Sequence, residues 1–547
     1  MAKEFDDYLP NYVISDRIEV AEYIFKNDLE IWRDRLIGSN LISHLKLGEK
    51  FQVPDNQDRD YIITTLFVFL FLLEILKVPV FKLNSTEVKS DEKSITQKDY
   101  FCEIRIVNID FLPARLFETI WKHAKNTSLY ISQNACTASN VEYLQNQIQR
   151  EIVIPLRSMV PGGKSTFPIL QAANQLGIPF IHLGRGIYQL GHGSKSHVFD
   201  RSYSENNSTF GTLLAQSKFA TTNLIRSAGF PTPQNFLAST LIEAKLAASK
   251  LGFPVVVKPV DRDRGEGVTI NIGSDFALKN AFMVAMQLSQ SKRVLVEKMA
   301  LGVCHRIFIS HNKMLYAVKR MPIGVYGDGI KSVSEIVRDE ISFEASRAPW
   351  LRRHLPNLDE EALNSLFVLG LRPNSVPEIG KFVPLRAIES TADGGIDIEV
   401  TDQVHKDNLE AALQISRLFG LSEVGIDFIS EDISEPWHIN GGVFNEVNVA
   451  PLLGGGPISR GYIPKFLKNY FSDNGKIPIE IEFDIDSARL RQIALINQKY
   501  RAYLVSESEC LNPELSNFNI AQNRLSERVQ SVLYRKDCEA IVICDKK

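Results

Sequence analysis

"GFPVVVKPVDRDRGEGVTINI", Gly252–Ile272, is the stretch whose reading decides the fold. Three consecutive valines predict a strand. The strand ends in Lys258 and Pro259, a loop of charges with Gly265 and Gly267 follows, and "VTINI" predicts a second strand. A lysine closing an apolar strand either pairs with a carboxylate or is reserved for an anion or a nucleobase. Gly265 and Gly267 lack a Cβ, so the backbone can bend and turn N–H groups towards an anion. Arg262 and Arg264 add charge-assisted donors. By itself the stretch fits two readings, an ordinary charged hairpin and a grip on a phosphate.

The flanking sequence alternates helix and strand signals. "TLIEAKLAASKLGFP" (240–254) predicts an amphipathic helix ended by Gly252 and Pro254. "AQSKFATTNLIRSAGFPTPQNFLA" (215–238) predicts a helix ended by Gly229, then an extended segment. "KNAFMVAMQLSQS" (279–291) predicts another helix, and "RVLVEKMALG" (293–302) a strand with a turn. "CHRIFISHNKMLYAVKRMP" (304–322) reads as two antiparallel strands joined at "HNK". "PGGKSTFPILQAANQLGIPFIHLG" (161–184) is a glycine turn, a helix and a strand. A phosphate loop there would need Gly five positions before Gly163, where Ser158 stands, so the match fails.

Two later features bear on Lys258. Glu297 closes the apolar strand "VLVE", and two opposite charges at two strand ends fit a plain salt bridge or a nucleotide grip. Glu446 and Asn448 lie two apart in "NEVNV", which puts both on one face of a strand. Asp427 in "VGIDFI" adds a third oxygen ligand. Mg²⁺ takes oxygen donors and is commonly held by one or two carboxylates together with substrate phosphates; a polar sheet face with unrelated pairs fits the spacing equally.

The chain has 547 residues, which predicts about three domains at roughly 100–200 residues each. Hydrophobic residues make up 44% and charged residues 23%, the balance of a globular protein, and the net charge of −3 offers no basic excess for nucleic acid. The six cysteines are scattered without a CxxC pair, which predicts reduced thiols in a cytoplasmic protein. "IITTLFVFLFLLEIL" (62–76) runs about 12 residues before Glu74, short of the about 20 a membrane span needs, and predicts a buried core helix. "DRIEVAEYIFKNDLEIWRDRLIG" (16–38) has helical spacing. "KDYFCEIRIVNIDFL" (98–112) and "REIVIPLRSM" (150–159) read as strands, and "KLNSTEVKSDEKSITQKD" (82–99) as a loop. His192 and His197 have a metal-like spacing but lack a third ligand candidate, so they read as polar loop residues.

Strand-Lys-Pro, glycine loop, "VEK" and a late "GID…NEVN" occur here in one order. That order resembles the ATP-grasp carboxylate–amine ligases, most nearly the ATP-grasp part of cyanophycin synthetases. "GVTINI", "GGIDIEVTDQVHKDN" and "GLSEVGIDFI" carry the likeness, which covers about 160–470. The resemblance implies an α/β ATP-grasp fold with α+β subdomains. It divides the chain into an N-terminal α/β domain (1–160), the ligase domain (161–470) and a Mur-ligase-like remnant (471–547).

The resemblance also implies an enzyme that uses ATP and two Mg²⁺ ions to join a carboxylate to an amine through an acyl phosphate. Its substrates would be amino acids or short peptides. It implies neither a nucleic-acid nor a membrane partner, and leaves a homo-oligomer open. By matching positions, Lys218 and Lys258 would bind the nucleotide, Arg264, Gly265, Gly267 and Val268 would lie over the phosphates, and Glu297 would take the adenine amino group. The Lys298–Ala300 backbone would be the hinge, and Cys304 part of the nucleotide wall. Arg320 and Arg386 would lie near the transferred phosphate and acyl group, and Asp427, Glu446 and Asn448 would hold magnesium.

The sequence departs from the family pattern in four places. Cys304 stands where the family carries an acidic residue that touches ribose, Ser217-Lys218 replaces "DK", "APLLGGG" replaces "APG", and "STADGG" (390–395) replaces "STGG". In the tail, "IEFDIDSARL" (481–490) stands where a phosphate loop would be, which implies no second ligase activity. Two other readings stay open: a nucleotide-binding regulator or structural subunit without turnover, and a glutathione-type γ-glutamyl ligase.

Overall fold

The computed structural model describes residues 11–19, 29–32, 35–36, 46–47, 51–52, 58–83, 85–90, 99–107, 112–262, 265–353, 355–387, 389 and 395–545. The chain divides into two compact units. One comprises residues 1–201, 348–350 and 470–547; the other comprises 202–347 and 351–469. Residues 161–201 thus fall in the first unit.

The second unit holds the opening stretch. Its first sheet is antiparallel, in the order β1 (Asn235–Ala238), β4 (Val294–Lys298), β2 (Val255–Pro259), β3 (Thr269–Ile272). Helices α3 (Leu241–Leu251) and α4 (Asp275–Leu288) supply Ala244, Ala247, Ala248, Leu278, Ala281 and Ala285 to a core with Val255, Val257, Val294 and Val296. Small residues on both helices let them lie close on the valines. The start of α3 is fixed by a capping box: Thr240 Oγ1 accepts from Glu243 N at 3.2 Å, and Glu243 Oε2 accepts from Thr240 N at 3.2 Å.

The second sheet is antiparallel in the order β9 (Ile396–Glu399), β6 (Lys313–Met321), β5 (Val303–Ser310), β10 (Glu423–Ser430), β11 (Val443–Val449). One face packs Ile307, Ile309, Ala317, Val424, Ile426 and Val447 against Ala411, Ala412 and Ile415 of α7 (Lys406–Phe419). Between β6 and β9 the chain makes a smaller cluster: strands β7 (Gly324–Tyr326) and β8 (Phe382–Pro384) with helices α5 (Val333–Ser346) and α6 (Glu360–Val368) around Val325, Val333, Leu366 and Val383. Ahead of the first sheet come α1 (Thr209–Ala215) and α2 (Lys218–Ser227).

In the first unit, Arg59–Ile75 is a helix with residues buried on all sides, as expected for a core helix. Among the described residues no helix is long and apolar enough to cross a membrane. Three sequence expectations are corrected. Asn11–Glu19 is a strand, not helix, over the part of 16–38 it shares; it pairs residue by residue with Asp99–Val107, and Ile14 and Ile18 turn inward. Residues 20–28 lie outside the described residues. The stretch 150–159 is helical and continues the helix Ala138–Ile148. Its β-branched residues suggested a strand, but Leu144, Ile148 and Ile152 recur every four residues on a buried face, and burial outweighs that weak preference. Ser85–Ser90, expected as loop, is a strand whose ladder with Asp99–Val107 compensates for a polar sequence in which Val88 is buried.

The C-terminal residues form three parallel strands, Ile479–Glu482, Ala540–Cys544 and Ala502–Ser506, and an antiparallel edge at Cys510–Leu511. The helix Ile485–Asn497 begins with Asp484, whose carboxylate accepts from Ser487 N at 2.8 Å. A carboxylate thus occupies the helix end that a phosphate loop would offer to an anion.

Candidate active site

Alternation along the first sheet sorts its side chains. Val255 and Val257 face the helices, so Val256 and Lys258 face the other way, with Leu295 and Glu297 beside them on β4. Glu297 is the register partner of both Val256 and Asn235, and Lys258 lies diagonally across from it. Lys258 Nζ is 2.7 Å from Glu297 Oε2, with both side chains buried. Burial works against the Lys258 ammonium, but Glu297 and then Glu446 outweigh it and hold its pKa above the ordinary value. Glu446 belongs to the second sheet, so the charged faces of the two sheets look at each other. Glu297 Oε1 is buried and has no hydrogen-bond partner among the described residues.

The hairpin loop is anchored to the protein by charges that also suited an anion. Arg262 Nε donates to Leu288 O at 2.7 Å, closing the end of α4. Asp261 accepts from Ser291 N at 2.6 Å and Gln290 N at 3.2 Å. Burial would raise the Asp261 carboxyl, but these N–H groups and the Ser291 and Ser289 hydroxyls bring it down to about 2. Arg262 is therefore a tether of the loop. Gly265 and Gly267 have φ of 79° and 73°, and a Cβ on Gly267 would lie 2.9 Å from both Leu288 Cδ1 and Pro259 Cγ. Val268 N donates to Gly265 O at 3.1 Å, which closes the turn. Arg264 lies outside the described residues. Lys218 opens α2 and reaches this loop, donating to Arg262 O at 2.8 Å. Ser217 caps that helix by accepting from Ala220 N, so a serine performs the capping that aspartate would.

The open face of the second sheet is charged. Arg306 and Asp427 are register partners on β5 and β10, and Asp427 and Glu446 on β10 and β11. Arg306 holds Asp427 bidentately, Nε to Oδ1 at 2.7 Å and Nη2 to Oδ2 at 2.8 Å. Arg320 Nη1 is 3.7 Å from Asp427 Oδ2. Burial works against the Arg306 cation, and Asp427 overcomes it and raises the pKa. Gly425 makes room for this side chain: a Cβ there would lie 3.1 Å from Arg306 Cδ. Asp397, the register partner of Arg320, has its carboxyl pushed up by burial, against Arg320 and Arg306. Cys304 is buried on the same face; burial and then the Asp427 charge push its thiol well above the ordinary range.

Asp427 and Glu446 thus stand side by side, with Asn448 two residues along β11 on the same face. Two carboxylates and an amide oxygen are the donor types Mg²⁺ takes, and the bidentate arginine uses one lone pair on each Asp427 oxygen and leaves others. The residues fit that ion by donor chemistry. Among the described residues no group of three His, Cys, Asp or Glu is placed to hold a metal. His197, expected in a loop, opens the strand His197–Asp200 and is in edge contact with the Tyr470 ring, centroids 5.1 Å apart.

The remaining expected residues lie at the margins. Arg386 donates from Nη1 and Nη2 to Asp359 at 3.0 and 2.6 Å, and its Nε is 3.2 Å from Glu361 Oε2. Asp359 caps α6, so Arg386 grips the start of that helix. Lys298 Nζ donates to Gly252 O at 2.9 Å, and its backbone N to Gln234 O at 2.8 Å. Ala300 follows β4 and is half-buried. Sequence reading missed Arg306 and Asp397. The signal for Arg306 was present: one arginine in an alternating apolar strand sits on the face opposite the core.

No family model matches the chain. Cyanophycin synthetase from Nostoc sp. is 32% identical over 293 residues, which is 53% of this chain and 32% of that protein. The bifunctional glutathione biosynthesis protein of Mannheimia succiniciproducens is 28% identical over 291 residues, 51% of this chain and 36% of that protein. The matched stretch is similar to part of each of these two proteins, in line with the resemblance to the ATP-grasp carboxylate–amine ligases. It spans about a third of the length of these relatives. Among solved structures, a bifunctional glutathione synthetase from Pasteurella multocida aligns with a TM-score of 0.43 and 18% identity, over 75% of this chain and 69% of that one. The Lys258–Glu297 pair and the Asp427 cluster both lie within one compact unit.

Proposed function

We propose that the chain is an ATP-dependent ligase that joins a carboxylate to an amine, with amino acids or short peptides as substrates. The observation that carries this reading is the pair of opposed charged faces, Lys258 with Glu297 on one sheet and Arg306, Arg320, Asp427 and Glu446 on the other.

A carboxylate is a poor electrophile at neutral pH. Transfer of the γ-phosphoryl group of ATP to it gives an acyl phosphate and ADP, and attack by the amine then gives the amide and releases phosphate. The protein's work in such a reaction is position and charge. In this reading Lys258 and Lys218 bind the nucleotide and Glu297 faces its base. Gly265, Gly267 and Val268 lie over the phosphates, Arg320 and Arg386 face the transferred phosphoryl and acyl groups, and Cys304 is a neutral part of the wall. Arg306 orients Asp427 through its bidentate pair. Mg²⁺ held by Asp427, Glu446 and Asn448 would neutralise phosphate oxygens. The C-terminal sheet, with a carboxylate at its helix start, has no part in a second ligation.

The test is mass spectrometry of products after incubation with ATP, Mg²⁺ and pooled amino acids. A product of mass equal to two substrates minus water, formed with ADP and phosphate, is expected. ATP binding without phosphate release under any amine and acid pair would instead make the chain a nucleotide-binding regulator.

A further inference from the structure

Two buried acceptors sit side by side on the first sheet. Asn235 and Glu297 are register partners on β1 and β4, so their side chains share the face that carries Lys258. Both residues are more than nine-tenths buried, at 8% and 3% exposure. Among the described residues neither Asn235 Oδ1 nor Glu297 Oε1 has a hydrogen-bond partner. A buried carbonyl or carboxylate oxygen without a donor is costly, and two neighbours without one call for a group that brings two N–H bonds.

The orientation of the Asn235 amide is fixed by its surroundings. Its Nδ2 donates to Thr222 Oγ1 at 2.9 Å and to Pro233 O at 3.2 Å. The Thr222 hydroxyl is itself spent on the α2 backbone, at 3.1 Å from Lys218 O and 3.2 Å from Phe219 O, so towards Asn235 it can only accept. Turning the amide round would set its oxygen against two acceptors. Asn235 therefore presents its carbonyl oxygen beside Glu297. On the other side Lys258 takes Glu297 Oε2 and leaves Oε1 open.

We infer that Asn235 adds a second acceptor beside the one Glu297 offers the base, and is thereby a specificity-determining residue for a nucleobase with an exocyclic amino group. This rests on the ATP-binding reading of the same cleft. A 6-amino purine offers two N–H donors to the two oxygens. A 6-oxo purine would place a third acceptor against them and leave all three unpaired, and sites built to bond such a group reject the analogue strongly.

The experiment compares dissociation constants of the full chain for ATP and for inosine triphosphate, which differ at that one group. The wild-type chain should bind ATP at least a hundredfold more tightly. Asn235→Leu, similar in volume, should weaken ATP by roughly 3–10-fold, the worth of one neutral hydrogen bond, and leave inosine triphosphate unchanged or tighter. Thr222→Val frees the Asn235 amide to turn its NH₂ towards the base, and should narrow the preference with the melting temperature little changed. Equal wild-type binding of the two nucleotides, or an unaltered ratio in both folded variants, overturns this role of Asn235 while leaving ATP binding standing. A wild-type chain that binds neither nucleotide removes the ATP reading and the role of Asn235 with it.

Discussion

Two buried glutamates in the same unit have opposite fates. The Glu344 and Glu297 side chains are both 4% exposed. Every oxygen of Glu344 is satisfied: Oε1 accepts from Arg347 Nη1 at 3.0 Å and Arg353 Nε at 2.8 Å, and Oε2 from Arg347 Nη1 at 2.9 Å and the Arg353 backbone N at 2.8 Å. Burial would raise its carboxyl, yet Arg353 and Arg347 hold it below the usual range. Glu297 has one oxygen on Lys258, and the other has no partner among the described residues. The closed set ties α5 to the segment that follows it. The open set is what a binding site leaves for its ligand. Equal burial with unequal satisfaction separates a carboxylate closed into the fold from one with an acceptor left open.

The Arg306–Asp427 pair lies between these cases, closed by one arginine yet part of the charged cluster. Removing one partner of a buried pair strands the other charge, at a cost of about 3–5 kcal/mol. Arg306→Met should lower unfolding free energy by about that amount in urea titrations, and Arg306→Met with Asp427→Leu should recover part of it while abolishing turnover. Wild-type stability in the single variant would mean that Arg320, at 3.7 Å, already suffices for Asp427.

Arg386 tests the comparison from the solvent side. It is paired with Asp359 and Glu361, which are half-exposed, so its ion pairs contribute little to stability. If it also faces the acyl group during the reaction, Arg386→Ala should cut turnover roughly a hundredfold or more, since one oxyanion donor is worth about 2.7–4 kcal/mol of barrier. ATP affinity and melting temperature should hardly move. Full turnover in this variant would reduce Arg386 to a clasp on α6.

His305 carries the comparison to a cation. It lies on the core face of β5, and burial, then its neighbour Lys319, lower its pKa to about 4. The free imidazole titrates near 6.5. The unfolded chain therefore binds more protons between about pH 6.5 and 4, and stability is lost as pH falls through that window. Between pH 7 and 5 the loss should be roughly 2 kcal/mol from this residue. His305→Gln should flatten the slope of unfolding free energy against pH there; an unchanged slope would show that the ring protonates in the folded state.

Much of the candidate site was legible because its residues stand at strand ends or repeat every second position. Lys258, Glu297, Asp427, Glu446 and Asn448 were each marked by a charge or amide interrupting an apolar strand. The hairpin glycines were marked by the left-handed backbone they permit. What was not legible depends on partners far away in sequence. Arg262 looked like an anion donor until its contact with Leu288, 26 residues on, was visible. The helix at 150–159 was hidden because β-branched residues state a weak local preference that tertiary burial overrides. Asn235 gave no signal, since an amide in "PTPQNFLA" is unremarkable until its register with Glu297 is known.

Nor did "FEASRAPWLRR" (343–353) announce Glu344, and this pair of glutamates gives the finest test. Glu344→Gln keeps the shape but replaces an acceptor oxygen with an NH₂ that faces two guanidinium groups. It should cost about 1–2 kcal/mol of stability in thermal or urea unfolding and leave nucleotide affinity as it was. Glu297→Gln should add a loss of affinity to a loss of stability. Its amide carbonyl can still face Lys258, but the buried ammonium loses its nearest counter-charge, at a cost of about 3–5 kcal/mol, and its NH₂ replaces the open acceptor and should weaken ATP binding by roughly tenfold or more. If Glu297→Gln binds ATP as tightly as Glu344→Gln does, an unsatisfied oxygen at Glu297 has no functional meaning.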